Sequence, residues 1–281
     1  MTAPTSTPTL LTPRLIGRVW GGDRLRARAP HAAPAGPIGE AWFGEADERP
    51  GGVLVKLLDV QERLSVQVHP DDRLARELHG ASALGKHEAW VVLEAAAGAE
   101  LLLGRDPKVS PDEITTTLSS GNDLTHLLAH HPVQRGDVFD VPTGSLHALL
   151  PGLFIWEVQQ PSDRTYRVAD WGRCDPARPL HLQEAIRATD ATHRATRATA
   201  IDWDQPGEQS LVNSMHFTAR AIVGPWAGSA EVGPHGAIAT ATGPAVAGEL
   251  PLGPLDTAHL SVGSIALNIP EGSALLIAEG C

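Results

Sequence analysis

At 281 residues the chain can form one large domain or two small ones, and 42% hydrophobic residues suffice for a real core. A formal net charge of −11 argues against a nucleic-acid-binding face, which needs clustered Lys and Arg, but leaves room for a small anion held by a local cationic cluster. No window is apolar enough to span a bilayer, and the start MTAPTSTPTLLTPR lacks a basic segment followed by an apolar one. The two cysteines, Cys174 and Cys281, suggest neither a disulfide nor a zinc–thiolate site, so a cytoplasmic protein without a membrane partner is expected.

In chain order, residues 1–9 are Thr/Pro-rich and expected to be disordered or weakly held. Val19-Trp20-Gly21-Gly22 follows, then an Ala/Pro-rich loop over 27–37. Gly39 to Phe43 is expected as a strand, its Glu40 and Trp42 serving either the core or a pocket wall together with Trp20. Val53 to Leu58 is a short apolar strand, and Leu64 to Val68 is the next. Ser65-Val66-Gln67-Val68-His69-Pro70 alternates, so Ser65, Gln67 and His69 share one face. Pro70 to Leu78 has a helical pattern that opens on two aspartates, where the helix dipole favours them. In Lys86-His87-Glu88-Ala89-Trp90 the same alternation pairs Lys86 with Glu88 and turns His87 away. Strands are expected at Glu88 to Leu93 and Glu100 to Leu103, joined through Gly98.

Ser110-Pro111-Asp112-Glu113 is a capping box with Pro at the first helical position. Gly121-Asn122 ends that helix, and Asp123 to Ala129 is expected as a second. Together they suggest a helical insertion over about 110–131, whose His126, His130 and His131 are expected at the surface or in packing. Next, Gly136, Pro142, Gly144 and His147 form G-x5-P-x-G-x2-H, which predicts a strand, a tight turn and a second strand with a histidine near its start. A polar run follows at Glu157, Gln159, Gln160, Asp163, Arg167, Asp170 and Arg173. Leu180 to Ala188 reads as a helix and 189–200 as a linker. The remainder is strand-and-turn sequence, and Gly263 to Gly272 repeats the turn as G-x6-P-x-G with no histidine after it.

His69, Glu88 and His147, aimed inward from strands, make a plausible divalent-metal site; zinc suits it and manganese, iron or cobalt are not excluded. S-x-Q-V-H-P, K-x-E-x-W, G-D-x-F-x-V-P-x-G-x-x-H-A and E-V-Q-Q-x-S-D-x-T-Y-R occur in this order over 65–173. Together they resemble the class I mannose-6-phosphate isomerases, metal-dependent enzymes of the cupin superfamily, with weaker echoes in W-G-G and G-E-x-W. The resemblance implies a mainly β fold of two cupin-type jelly-roll barrels with the helical insertion in the first. It implies a metal-binding domain over 1–195 and a degenerate, metal-free domain over 201–281. It adds Gln67 to the metal ligands, with one Zn2+ the preferred ion. It assigns Lys86, Glu157, Asp163 and Arg167 to catalysis, and Ser65, Lys86, Arg173, Trp20 and Glu40 to a phosphorylated hexose. The implied reaction interconverts mannose 6-phosphate and fructose 6-phosphate through an enediolate, with the base open among Asp163, Glu157 and Lys86. Gly85 stands where several family members carry a histidine, so no base can come from that position. An oxygenase-like enzyme on His69, Glu88 and His147, a sugar-binding cupin without turnover, and either a monomer or a homo-oligomer all stay open.

Overall fold

The structure is a computed structural model that describes residues 7–193 and 197–281. Part of the Thr/Pro-rich start (1–6) and part of the expected linker (194–196), with the domain boundary placed there, lie outside the described residues.

Four antiparallel sheets and a set of short helices make five layers. The central sheet has seven strands, in the order Arg197–Ala200, Asp137–Val141, Glu88–Ala95, Leu153–Gln159, Leu54–Val60, Ile38–Phe43 and Arg14–Gly22. On one side lies a five-stranded sheet of Tyr166–Ala169, Val66–Val68, His147–Leu149, Glu100–Arg105 and Leu128–Pro132. On the other lies a six-stranded sheet of Thr9–Leu10, Thr257–Leu260, Ala237–Ala241, Ala274–Gly280, Phe217–Val223 and Gly207–Asn213. A four-stranded sheet of Trp226–Val232, Gly263–Ile269, Ala245–Ala247 and Leu250–Leu252 covers its far face.

Each gap between layers has its own apolar cluster, and the alternation of each strand decides which cluster its residues join. Val55, Leu57, Val91 and Trp156 of the central sheet meet Phe217, Ala219 and Leu276 of the six-stranded sheet. Val60, Val92 and Ile155 on the opposite face meet Leu101, Leu103 and Leu149 of the five-stranded sheet. Leu102, Val66, Val68 and Ala148 turn outward against Leu74, Ile114, Leu118 and Ala185 of the helices. Ile222, Ala239 and Ile277 pack on Ile265, Leu267 and Ala247 of the four-stranded sheet. Covered on both faces, the central strands read as near-continuous apolar runs such as Val53 to Leu58.

The expectation of two closed jelly-roll barrels is corrected here: among the described residues none of the four sheets closes on itself. Turn chemistry fixes a chain reversal but not which sheet receives the next strand. The Pro142/Gly144 turn does give a strand beginning at His147, but Asp137–Val141 lies in the central sheet and His147–Leu149 in the five-stranded one. The Pro270/Gly272 turn likewise carries the chain from the four-stranded to the six-stranded sheet. Each reversal therefore crosses between stacked sheets instead of extending one sheet toward closure.

The insertion also differs from expectation. Helix Pro111–Ser120 has its Ser110 cap, 3.1 Å from the Glu113 N–H, and ends at left-handed Gly121. The second helix is a single 3-10 turn, Thr125–Leu127, and Leu128–Pro132 becomes an edge strand. In the expected linker, Arg197–Ala200 pairs with Asp137–Val141. Thr9, at the end of the stretch expected to be weakly held, forms with Leu10 a short strand that pairs with Thr257–Leu260. Helices Asp72–His79 and Leu182–Ala188 fall where the sequence puts them. Among the described residues no helix is long and apolar enough to cross a membrane.

Trp156 is fully buried and its indole N–H donates to Thr240 Oγ1 at 3.0 Å, joining the central sheet to the six-stranded one. Trp156→Ala should cost about 3–5 kcal/mol in urea denaturation. Thr240→Val, which strands the indole N–H, should cost about 1–3 kcal/mol. A loss well below 1 kcal/mol for both would mean this contact does not couple the layers.

Candidate metal centre and active site

The gap between the five- and seven-stranded sheets is apolar at one end and charged at the other. The charged end encloses a cavity of about 230 Å³ lined from both sheets. Gln67 and His147 are direct cross-strand partners, and Arg167 opposes Gln67 from the other side. Val66 and Val68, fully buried on the helix-facing side, force Ser65, Gln67 and His69 to face the central sheet. Glu88 opens its strand opposite Val141 and Gln159, and Trp90 and Glu157 are cross-strand partners one step along the same face.

The motifs are tied to one another by main-chain bonds. Gly144 N–H donates to the His69 carbonyl at 2.9 Å, and Lys86 N–H to the Pro70 carbonyl at 3.1 Å. This approach leaves no room at Gly85, where a Cβ would lie 2.6 Å from the Pro70 carbonyl oxygen, so a histidine there would displace the backbone. His87 turns away as expected, to Asp140 at 2.7 Å and to the rings of His216 and Phe217.

His69, Glu88 and His147 each offer a donor atom, and these atoms all lie within 4.8 Å of one another. His69 Nε2 is 3.3 Å from one Glu88 oxygen and His147 Nε2 is 3.4 Å from the other. Both imidazoles hold their Nδ1 against a backbone carbonyl, His69 on Arg164 at 2.8 Å and His147 on Ser145 at 2.9 Å. Donation there leaves both Nε2 lone pairs facing the carboxylate. Gln67 Nε2 lies 3.2 Å from His147 Nε2, and a half-turn of the carboxamide would present its oxygen instead.

Burial holds His69 down to about 4, assisted by the Lys86 ammonium and opposed by Glu88. Burial likewise lowers His147. Burial would raise Glu88, but Lys86 foremost, then the two imidazoles, holds it well below the usual carboxylate range. Burial would lower Lys86, yet Glu88 and then Glu157 raise it, and its ammonium contacts Glu88 directly with His69 Nε2 at 3.1 Å. Two neutral imidazoles beside a carboxylate are the donor set of a divalent ion. Glu88 Oε1 is buried without a hydrogen-bond partner among the described residues, which is how a carboxylate oxygen kept for a cation looks. The residues therefore fit a metal.

Above this group Glu157 accepts from the Trp90 indole at 3.1 Å and pairs with Lys56 at 3.0 Å. Glu40 accepts from the Trp42 indole and from Arg18 at 2.7 Å, and Lys56 lies over the Trp42 ring. Burial opposes ionisation of Glu40, but Lys56 and Arg18 outweigh it and lower the group. Of the residues singled out in the sequence, Trp20, Glu40, Ser65, Gln67, Lys86, Glu88, His147, Glu157, Asp163 and Arg167 line the cavity. His69 stands just behind, against Glu88 and Lys86. Arg173 is not brought there: it donates to Asp170 at 2.8 Å and to the Arg63 carbonyl. Arg178 lines the cavity, on the same Asp170 at 3.1 Å. Of the three histidines in the insertion, His130 pairs with Glu100 at 3.1 Å and His131 contacts the Leu103 carbonyl, both away from the cavity.

Residues 48–87 match the family described as phosphomannose isomerase type I, catalytic domain. Over 221 residues the chain is 36% identical to the probable mannose-6-phosphate isomerase GmuF of Bacillus subtilis (strain 168), covering 66% of this chain and 69% of that protein. The chain belongs to the class I mannose-6-phosphate isomerase family. A mannose 6-phosphate isomerase from Bacillus subtilis has the same fold, with TM-score 0.80 and 28% identity over 97% of this chain and 99% of that one. A mannose 6-phosphate isomerase bound with zinc and yttrium shares the fold at 13% identity and TM-score 0.75, covering 98% of this chain and 100% of that one.

Within this isomerase-family chain, sequence reading missed Arg18, Lys56, Trp90 and Arg178 as cavity residues. Lys56 carried a signal, one of two charges, with Asp59, in an otherwise apolar buried strand. Arg178 carried none, because a bend in the chain after Asp170 brings it back.

Asp72 ties the first helix to this site, accepting from Gly85 N–H at 2.8 Å and from Gln160 at 3.0 Å. Burial would raise its pKa, but these two bonds lower it below the ordinary 3.8. A depressed carboxyl contributes stability above the unfolded pKa and loses it as pH falls through the folded one. Asp72→Asn should therefore flatten the decline in stability below about pH 4, measured as urea midpoint against pH. A variant with the same slope as wild type would remove Asp72 from the acid response.

Proposed function

We propose that the protein is a metal-dependent aldose–ketose isomerase that interconverts mannose 6-phosphate and fructose 6-phosphate. The observation that carries this reading is one cavity with a metal-donor triad at its base and a cationic mouth. Arg18, Lys56, Lys86, Arg167 and Arg178 line it, against Glu40, Glu88, Glu157 and Asp163. Arg18, Lys56 and Lys86 are each paired with a carboxylate. Arg167 instead donates to Ser65 Oγ at 3.3 Å and to the Pro179 carbonyl at 2.9 Å. Burial foremost, then the neighbouring Arg178 charge, lowers its pKa against the opposing Asp170, so Arg167 is a desolvated cation beside a second one. An anion on the Arg178 side relieves that repulsion and leaves Arg167 to the sugar oxygens, so a sugar phosphate enters with its phosphate at the mouth.

Gln67, His69, Glu88 and His147 would hold the ion, and two nitrogens with two oxygens suit Zn2+. When bound, it supplies electrostatic stabilisation for negative charge developing on the sugar oxygens. The chain's own residues do the rest. Arg178 and Arg18 grip the phosphate, while Arg167, cross-strand from Gln67, lies closer to the reacting carbons. A carboxylate moves the proton between C1 and C2 through an enediolate, Asp163 or Glu157 being the two in reach. Lys86, committed to Glu88 and His69, holds charge and does not accept the proton. Residues 1–195 then make the metal-binding unit, and 201–281 a metal-free one.

The test is metal content of the purified protein joined to an assay with mannose 6-phosphate. About one zinc per chain, and activity lost on chelation and restored by zinc, supports the reading. Absence of turnover by the metal-loaded protein overturns it. Two arginines then separate binding from chemistry. Arg178→Ala should raise KM about tenfold or more with kcat little changed, since a charged hydrogen bond is worth about 1.5–3 kcal/mol. Arg167→Ala should lower kcat more than it raises KM, and Arg167→Lys should rescue poorly because an ammonium lacks the planar fork. A steep KM effect with normal kcat for Arg167→Ala would make it a phosphate anchor instead.

A further inference from the structure

His69 is held by a backbone carbonyl in a loop, not in a strand. That loop joins Leu153–Gln159 to Tyr166–Ala169, and its Arg164 carbonyl takes the His69 Nδ1 contact at 2.8 Å. A carbonyl on a mobile loop would orient an imidazole poorly, so whatever fixes residue 164 fixes the ligand.

The side chain of Arg164 forms an ion pair with Glu48, and the two are only 20% and 22% exposed. Glu48 also anchors the loop by its backbone, donating N–H to the Pro161 carbonyl at 2.9 Å. Glu48 is itself constrained: its φ of +56° is one that a residue with a side chain rarely adopts unless its surroundings impose it.

The connection that carries Glu48 is held against the six-stranded sheet. Glu48 belongs to the connection between Ile38–Phe43 and Leu54–Val60. Three residues on, Gly51 is pressed against that sheet. A Cβ on Gly280 would collide with the Gly51 carbonyl, and a Cβ on Gly51 would lie 2.5 Å from the His235 ring. At the other end of the connection a Cβ on Gly44 would touch Ile238 at 3.6 Å. The path runs from the six-stranded sheet through the connection to Glu48, then Arg164, then His69.

We propose that Glu48, acting through Arg164, is a positioning residue for the metal ligand His69, and that the C-terminal sheets support the metal centre through this pair. The proposal rests on the reading of a metal site at His69, Glu88 and His147. It gives the C-terminal sheets a task in that site without placing any of their side chains in it.

The test uses the full-length protein with Glu48→Gln and Arg164→Met, which remove the ion pair at nearly constant size. Zinc affinity is read by competition with a chromophoric chelator. In the metal-free protein, 15N NMR reads which His69 nitrogen carries the proton at neutral pH. Expected are a zinc affinity about tenfold or more weaker for each variant, the lower end of what outer partners of metal ligands contribute. Also expected are a mixed tautomer at His69 where wild type holds the proton on Nδ1, and a metal-free melting point close to wild type. The reversed pair, Glu48→Arg with Arg164→Glu, should recover much of the affinity. Wild-type affinity and a wild-type His69 spectrum in both single variants would overturn the proposal. So would weaker affinity with an unchanged His69 spectrum, because the effect would not pass through the ligand. If the wild-type protein binds no zinc, the metal reading fails by itself, and the tautomer measurement still judges the positioning claim.

Discussion

The structure around the cavity depends on one carboxylate. Glu88 is completely buried, between two imidazole nitrogens and an ammonium. An ionised carboxylate taken out of water is costly unless it is paired, and here every neighbour is arranged around that need. Lys86 supplies the opposite charge, and the imidazoles stay neutral because burial and Lys86 disfavour protonating them. Such a group is stable as it stands and can also exchange one positive partner for another.

The central sheet is what allows charge to be buried this deeply. Apolar layers cover both of its faces, so its strands cannot move to accommodate an unpaired group. Along one face the chain changes from Val92, Ile155 and Val60 to Glu88, Glu157 and Lys56 within each strand. The opposite face of the same strands is apolar apart from Asp59, which accepts from the Arg24 N–H and from Gln61. Charge is thus concentrated at one end of one gap, where Lys56–Glu157 and Arg18–Glu40 satisfy each other. In a dry, fixed space these pairs keep their geometry, and the cavity between them keeps its shape without a ligand.

Much of the site was legible because strands alternate. Ser65, Gln67 and His69 had to share a face, as did Lys86 and Glu88, and the turn before His147 set that histidine at the start of its strand. Arg173 and Arg178 show the limit: both reach Asp170, but only the second turns into the cavity, and that depends on the path of an irregular segment with no periodicity to read. The barrels were misjudged for a related reason. Local sequence encodes that the chain turns, whereas closure depends on which distant edges meet, and here the edges stay apart. Glu48 and Arg164 had no signal, since an ion pair across 116 residues leaves no mark on either neighbourhood.

The two Pro/Gly turns show how one backbone device serves two ends. Gly144 and Gly272 both have positive φ and both pass the chain into the neighbouring sheet. After the first, His147 enters a strand of three residues that faces Glu88 and His69. After the second, Ala274 begins a strand whose Leu275, Leu276, Ile277 and Ala278 are fully buried, facing the central sheet on one side and the four-stranded sheet on the other. An imidazole in that second strand would need a polar partner, and Trp156, Val223 and Ile269 offer none beyond the single bond already made to Thr240. What lies across the gap, more than the turn, decides whether the strand start holds a ligand or fills a core. The sheet without a ligand can then act on the one that has it only by contact, which is the position of Gly51 against Gly280.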